Sequence, residues 1–160
     1  MKESAKKPYV LYVGNDYPHK NLKRLKLAFD KLVKGHNLDY RLILNTKFVS
    51  DEELDKLYKD AALFVFPSLC EGFGLPPLEA MKRGVPVASS NAACLPEILG
   101  NAAIYFNPLD IGDMVEKIKK TLSDDKVKKD LVQKGYEQVK KYSWIKMAKE
   151  TLDIYEETPR

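Results

Sequence analysis

Two cysteines and two histidines are all that 160 residues supply of the usual metal and nucleophile chemistry. Cys70 and Cys94 lie 24 positions apart with no ligand spacing around them, so they read as free thiols and not as a disulfide framework or a zinc site. His19 and His36 have no metal or triad partner nearby and read as surface turn residues. No apolar run approaches the ~20 residues of a membrane span. Residues 1–8 lack a hydrophobic signal core, and the expected compartment is the cytosol. Gly14 stands alone after the first strand, which argues against a Gly-x-Gly-x-x-Gly dinucleotide oxidoreductase. The absence of Gly-Lys-Ser/Thr argues against a P-loop.

What is present suits one compact domain. The chain is 44% hydrophobic and 31% charged, enough for a full core and too short for two ordinary domains. Its formal net charge of +4 is uneven. Residues 1–50 carry eleven Lys/Arg against four Asp/Glu, residues 51–109 four against eight, and residues 110–157 eleven of each. The lysine-rich last third is therefore a charge-paired helical surface, and nucleic acid is not an expected partner. The basic excess sits in the first third, where an anion can use it.

Tyr9–Val13 is a β-branched and aromatic run closed by Gly14, which predicts a buried strand. Leu22, Leu25, Phe29 and Leu32 recur at helical steps, and the helix is expected to end at Gly35. Tyr40–Leu44 is the second strand. Ser50-x-x-Glu53 is a capping box that opens a helix. Leu63–Phe66 is a strand stopped by Pro67, with a helix from Pro77 to Arg83 and a strand over Val85–Ser89. A helical turn at Pro96–Leu99 leads to the strand Ala103–Phe106. Helices over 110–122, 126–141 and 143–156 close the chain, the last capped by Ser143. Alternating strand and helix predict an α/β fold: a doubly wound, Rossmann-like parallel sheet of about five strands. Ligands of such sheets bind beyond the carboxyl ends of the strands.

The informative stretch is Pro67-Ser-Leu-Cys-Glu-Gly-Phe-Gly-Leu-Pro-Pro-Leu-Glu-Ala-Met81. Gly72 and Gly74 let backbone approach a ligand, and the following helix N-terminus presents unpaired N–H groups that hold a phosphate. Glu71 and Glu79, eight positions apart, cannot share one task, and carboxylates suit sugar and ribose hydroxyls.

These residues resemble the paired-glutamate signature of retaining glycosyltransferases of the glycogen-synthase and mannosyltransferase type. The likeness extends to Tyr12–Asn21, Gly84–Val87, Leu95–Glu97 and Tyr142–Trp144, and so to nearly the whole of residues 9–157. It implies the nucleotide-sugar donor-binding domain of a glycosyltransferase-B architecture, with the acceptor-binding domain absent and residues 1–8 a linker remnant. It further implies that Lys20 neutralises the leaving diphosphate, that Phe73, Gly74 and Leu75 offer backbone N–H groups, that Glu71 meets the transferred sugar and that Glu79 meets the ribose. Gly14 and Asn15 of the first loop complete the donor site. The implied donor is GDP-mannose or a UDP-sugar, with the Pro18-His-Lys-Asn21 turn favouring the former. No metal or cofactor is implied, and no Asp-x-Asp occurs. The leaving diphosphate helps deprotonate the acceptor in this family, so no protein nucleophile is sought. The full enzyme is expected in the cytosol or at the inner membrane face.

Two departures bear on this reading. Asn15 follows Gly14 where the family often has an arginine, so that cation is either missing or replaced by Arg24 or Lys23. The family also places a helix and strand between the strand ending here at Leu44 and the turn at residues 48–50; this chain has only Asn45–Lys47. Tyr40–Leu44 is therefore expected at the sheet edge, open to self-association. A non-catalytic nucleotide-binding or scaffold module stays open as the alternative. Glu97 is expected to bond nearby backbone N–H groups, and Phe73 either to anchor its loop or to face a ligand.

Overall fold

The chain alternates strand and helix as its sequence pattern requires. In a computed structural model that describes residues 7–36 and 38–157, the strands are β1 (Tyr9–Val13), β2 (Arg41–Asn45), β3 (Leu63–Phe66), β4 (Val87–Ser90) and β5 (Ala103–Phe106). All pair in parallel, in the order β2-β1-β3-β4-β5. The helices are α1 (Leu22–His36), α2 (Asp51–Lys59), α3 (Leu75–Lys82), α4 (Leu95–Leu99), α5 (Ile111–Ser123), α6 (Asp125–Val139) and α7 (Trp144–Glu157). Of the expected linker, residues 1–6 lie outside the described residues.

Local chemistry sets the element ends. Ser50 accepts from the Glu53 N–H while the Glu53 carboxylate accepts from the Ser50 N–H, the reciprocal box that starts α2. Asp110 and Asp124 cap α5 and α6 through their side chains. Two expected strand starts move. Pro86 lacks an N–H, so the strand expected from Val85 starts only at Val87. The second strand runs one residue later than expected, because Arg41 donates to Pro8 and Asn45 accepts from Gly14 at 3.1 Å.

The crossovers fix the layers. The chain leaves β1 toward β2 in one direction, then runs from β2 through β3 to β4 in the other. Right-handed crossovers therefore put α1 on one face and α2 with α3 on the opposite face. Accordingly α1 packs against α5, and α3 against α6. β3 and β4 are buried at every residue, whereas no residue of β2 is. The core is aromatic at its centre: Tyr12 stacks on Phe66, Phe66 on Phe64, and Phe64 tilts against Tyr58 with ring centroids 5.6–6.3 Å apart. Each such pair adds about 0.5–1.5 kcal/mol beyond area burial.

Candidate functional site

The chain reverses direction between β1 and β3, and open α/β sheets bind ligands beyond the strand ends at that switch point. The two loops that emerge there carry the first pair of expected site residues. In the β1–α1 loop, Gly14 has φ of 147°, and a Cβ would lie 2.7 Å from the Tyr12 hydroxyl. That hydroxyl donates to the Asn15 carbonyl at 2.7 Å. Asn15 is exposed and its side chain accepts from the Tyr17 N–H. Gly14 spends its own N–H on Asn45. Both residues thus shape the loop.

A 3₁₀ turn over Pro18–Lys20 follows, ended by Asn21 in the left-handed region at φ 61°. The buried Asn21 amide donates to the carbonyls of Pro67 and Pro108 at 3.0 and 2.8 Å, tying three loops together. Its oxygen accepts from Arg24. This staple fixes Lys20, whose ammonium sits 2.7 Å from Glu71 Oε1 and 5.5 Å above the centre of the Phe66 ring. Both members of the ion pair are only 12% exposed.

The β3–α3 loop supplies donors. Gly74 caps α3 with φ of 103°, and a Cβ there would press on Leu95 at 2.9 Å. Gly72 faces open space instead. A helix start normally leaves its first amides unpaired; here Pro76 and Pro77 have none. The N–H groups of Gly72, Phe73, Gly74 and Leu75 donate to no acceptor among the described residues. Four consecutive amides are therefore free beside Lys20 and Glu71. The Cys94 thiol bonds the carbonyls of Glu71 and Phe73 at 3.2 and 3.6 Å, holding the loop from behind. Burial pushes that thiol's pKa up.

Glu79 lies farther along α3. The buried Tyr58 hydroxyl donates to its Oε2 at 3.0 Å. Glu79, Phe73 and Leu75 line a cavity of about 810 Å³ shared with Leu54, Tyr142 and Trp144. Phe73 is 38% exposed and meets the Tyr142 ring edge-on at 5.4 Å. The Tyr142 contact anchors one edge of Phe73, while its other edge is open at the cavity. Lys20 and Glu71 are not on that cavity wall, whereas Phe73 and Leu75, a few residues along the same loop, are. Glu97 is exposed and makes no hydrogen bond among the described residues, so its expected backbone role is corrected: α4 turns it to solvent. Arg24 is engaged by Asn21, and Lys23 is exposed.

Sequence reasoning missed Asn21, Tyr58 and Cys94, which bond Pro67, Glu79 and Glu71 on elements far away in sequence. It also missed Ser68, whose buried hydroxyl has no hydrogen-bond partner among the described residues. Only Asn21 left a signal, as a residue tolerant of the left-handed region next to the lysine turn.

The fold is a Rossmann-like domain, a parallel sheet with free amides, a lysine and two carboxylates in the loops and helix that follow its switch point. The particular family follows from comparison: residues 43–138 match the model of glycosyl transferases group 1, and the chain belongs to that family. The chain is similar to O-antigen chain mannosyltransferase B of Escherichia coli, 34% identical over 92% of this chain and 45% of that protein. It thus spans less than half that relative's length. Their alignment runs over 172 positions, more than this chain has residues, so the relative carries a segment with no counterpart here. Among solved structures, sucrose-phosphate synthase from Thermosynechococcus elongatus superposes with a TM-score of 0.76 at 24% identity, over 96% of this chain and 46% of that one. The C-terminal domain of a group 1 family protein from Francisella tularensis gives 0.74 at 20% identity, over 84% and 85%. These two likenesses show the fold.

Proposed function

We propose that this domain binds a nucleoside diphosphate sugar and serves hexosyl transfer with retention of anomeric configuration, together with an acceptor-binding domain or subunit. The observation that carries the reading is the run of free amides at Gly72–Leu75 beside the Lys20 ammonium. Backbone donors and one cation suit a diphosphate, whose charge grows as the sugar leaves. Lys20 shifts from Glu71 to the diphosphate when donor binds, which frees Glu71 for the sugar hydroxyls. Glu79 accepts from the ribose. In the transfer, the bond from the sugar's anomeric carbon to the diphosphate breaks, the acceptor oxygen bonds that carbon on the same face, and the acceptor proton passes to the departing phosphate. No residue acts as nucleophile and no metal takes part. Catalysis is positioning plus electrostatic stabilisation.

GDP-mannose is the favoured donor, on the lysine turn and on the mannosyltransferase among the relatives, with a UDP-sugar second. Residues 9–157 form the donor domain, and residues 1–8 belong to the linker. An acceptor-binding domain or subunit completes the enzyme, and residues 9–157 by themselves bind donor without turning it over. The cytosol or the inner membrane face is its place; among the described residues no helix is long and apolar enough to cross a membrane. The β2 edge is a surface for self-association. A second reading, a non-catalytic nucleotide-binding module, draws on Asn15 and the short junction after β2. Mixing the chain with donor and a panel of acceptors separates them once an acceptor domain is added. Transfer is expected only with that domain, and multiple turnover by this chain alone would contradict the half-enzyme reading.

A further inference from the structure

We propose that Tyr58 is a positioning residue for Glu79, presenting one chosen carboxylate oxygen to the ribose; this rests on the ribose role given to Glu79 above. Tyr58 stands on α2 and is fully buried, with its ring packed on Phe64. Its hydroxyl has one proton and two acceptors in reach, Glu79 Oε2 at 3.0 Å and the Pro76 carbonyl at 3.4 Å. The shorter contact, to the carboxylate, takes the proton. Burial and the neighbouring Glu79 charge both raise the Tyr58 pKa, so the phenol stays a donor throughout the neutral range.

The opposite face is closed by Arg83. Its guanidinium covers the Tyr58 ring at 4.9 Å, donates from Nε to Asp55 at 2.8 Å and from a terminal nitrogen to the Glu79 carbonyl at 3.1 Å. Tyr58, Arg83 and Asp55 thus lock the Glu79 side chain and backbone together. Glu79 Oε1 takes no hydrogen bond among the described residues, and the residue lines the cavity. A free glutamate would lose rotamer freedom on binding, whereas here that ordering is complete in the unliganded fold. The clamp joins α2 to α3, so the seat of the ribose depends on how α2 is delivered by the short junction after β2.

Titration calorimetry with GDP and with 2′,3′-dideoxy-GDP tests this on the wild-type chain and on Tyr58→Phe, Glu79→Gln and the double variant. Phe keeps the ring between Phe64 and Arg83, so the fold is retained. Reading the ratio of the two affinities on one sample cancels any change in folded fraction. The wild type should prefer GDP. Tyr58→Phe should lower that preference about fivefold while leaving the dideoxy ligand unchanged, as expected for one lost orienting hydrogen bond. The double variant should match Glu79→Gln. Equal weakening of both ligands by Tyr58→Phe, or an unchanged ratio beside a Glu79→Gln that abolishes it, would overturn the role of Tyr58 alone. A wild type without preference, or a Glu79→Gln that retains it, would overturn the ribose role of Glu79 and this proposal with it.

Discussion

Lys20 and Glu71 satisfy one another in the unliganded fold, and that pairing sets what their substitution does. Lys20→Ala removes the charge that faces phosphate, so GDP should weaken by on the order of 1.5–3 kcal/mol while guanosine is barely changed. That is about ten- to hundredfold in the dissociation constant, measurable by calorimetry with both ligands. Equal losses for the two would contradict a phosphate role. The substitution also strands a mostly buried carboxylate, so the apo protein should lose stability as well; Lys20→Ala with Glu71→Gln should regain part of it in urea unfolding. Four tyrosines add a pH dependence. Burial raises Tyr9, Tyr12 and Tyr58 above the ordinary value of about 10 and pushes Tyr105 up to about 12. The folded state holds these protons longer than the unfolded one. Their contribution is therefore complete below about pH 10 and lost as pH rises through the folded values. Urea midpoints should be flat near neutrality and fall above about pH 10, less steeply in Tyr58→Phe. At this scale the sequence revealed what sits in one contiguous stretch, Glu71 to Glu79 and the lysine turn. Tyr58 and Cys94 were not legible, because their meaning lies in partners on other elements. An isolated tyrosine at an inward helical position reads only as core.

Among the elements, the alternation of apolar runs made the five strands and seven helices readable, and the short junction after β2 placed that strand at the edge before any pairing was known. What stayed hidden was how poorly β2 is covered. Arg41 donates inward to Pro8, so by the alternation of a parallel ladder the N–H groups of Leu42 and Leu44 point away from β1. Amide exchange should therefore be fast at Leu42 and Leu44 and slow throughout β3. Comparable protection at both would mean that the edge is covered. Self-association through β2 should appear in sedimentation velocity as a sedimentation coefficient that rises with concentration; a value constant into the high micromolar range would exclude it. Pro76 and Pro77 give a second lesson. They suggested a helix start, and they also strip two donors from it, so the run of free amides stops at Leu75. Helix α7 was expected over 143–156 with Ser143 as its cap, but its lack of buried residues and its exposed Trp144, Ile145, Met147 and Tyr155 come only from the packing.

The whole molecule is a group 1 glycosyltransferase domain whose switch point gathers free amides and the Lys20–Glu71 ion pair, with a second carboxylate, Glu79, bonded by Tyr58 at a cavity. The doubly wound class was legible because period and alternation report it directly. That Glu79 lines a cavity which Lys20 and Glu71 do not was not legible, since it depends on how the 71–75 loop and α3 pack. The segment absent after β2 is expected to weaken the grip on the base. Titration of the purified chain with GDP, UDP, ADP and inorganic diphosphate tests the central claim most directly. Saturable binding of all three nucleotides, with affinities within about tenfold of one another and a weaker but measurable signal for diphosphate, is the predicted result. No heat from any nucleotide at millimolar concentration, or binding that survives Lys20→Ala unchanged, would contradict it.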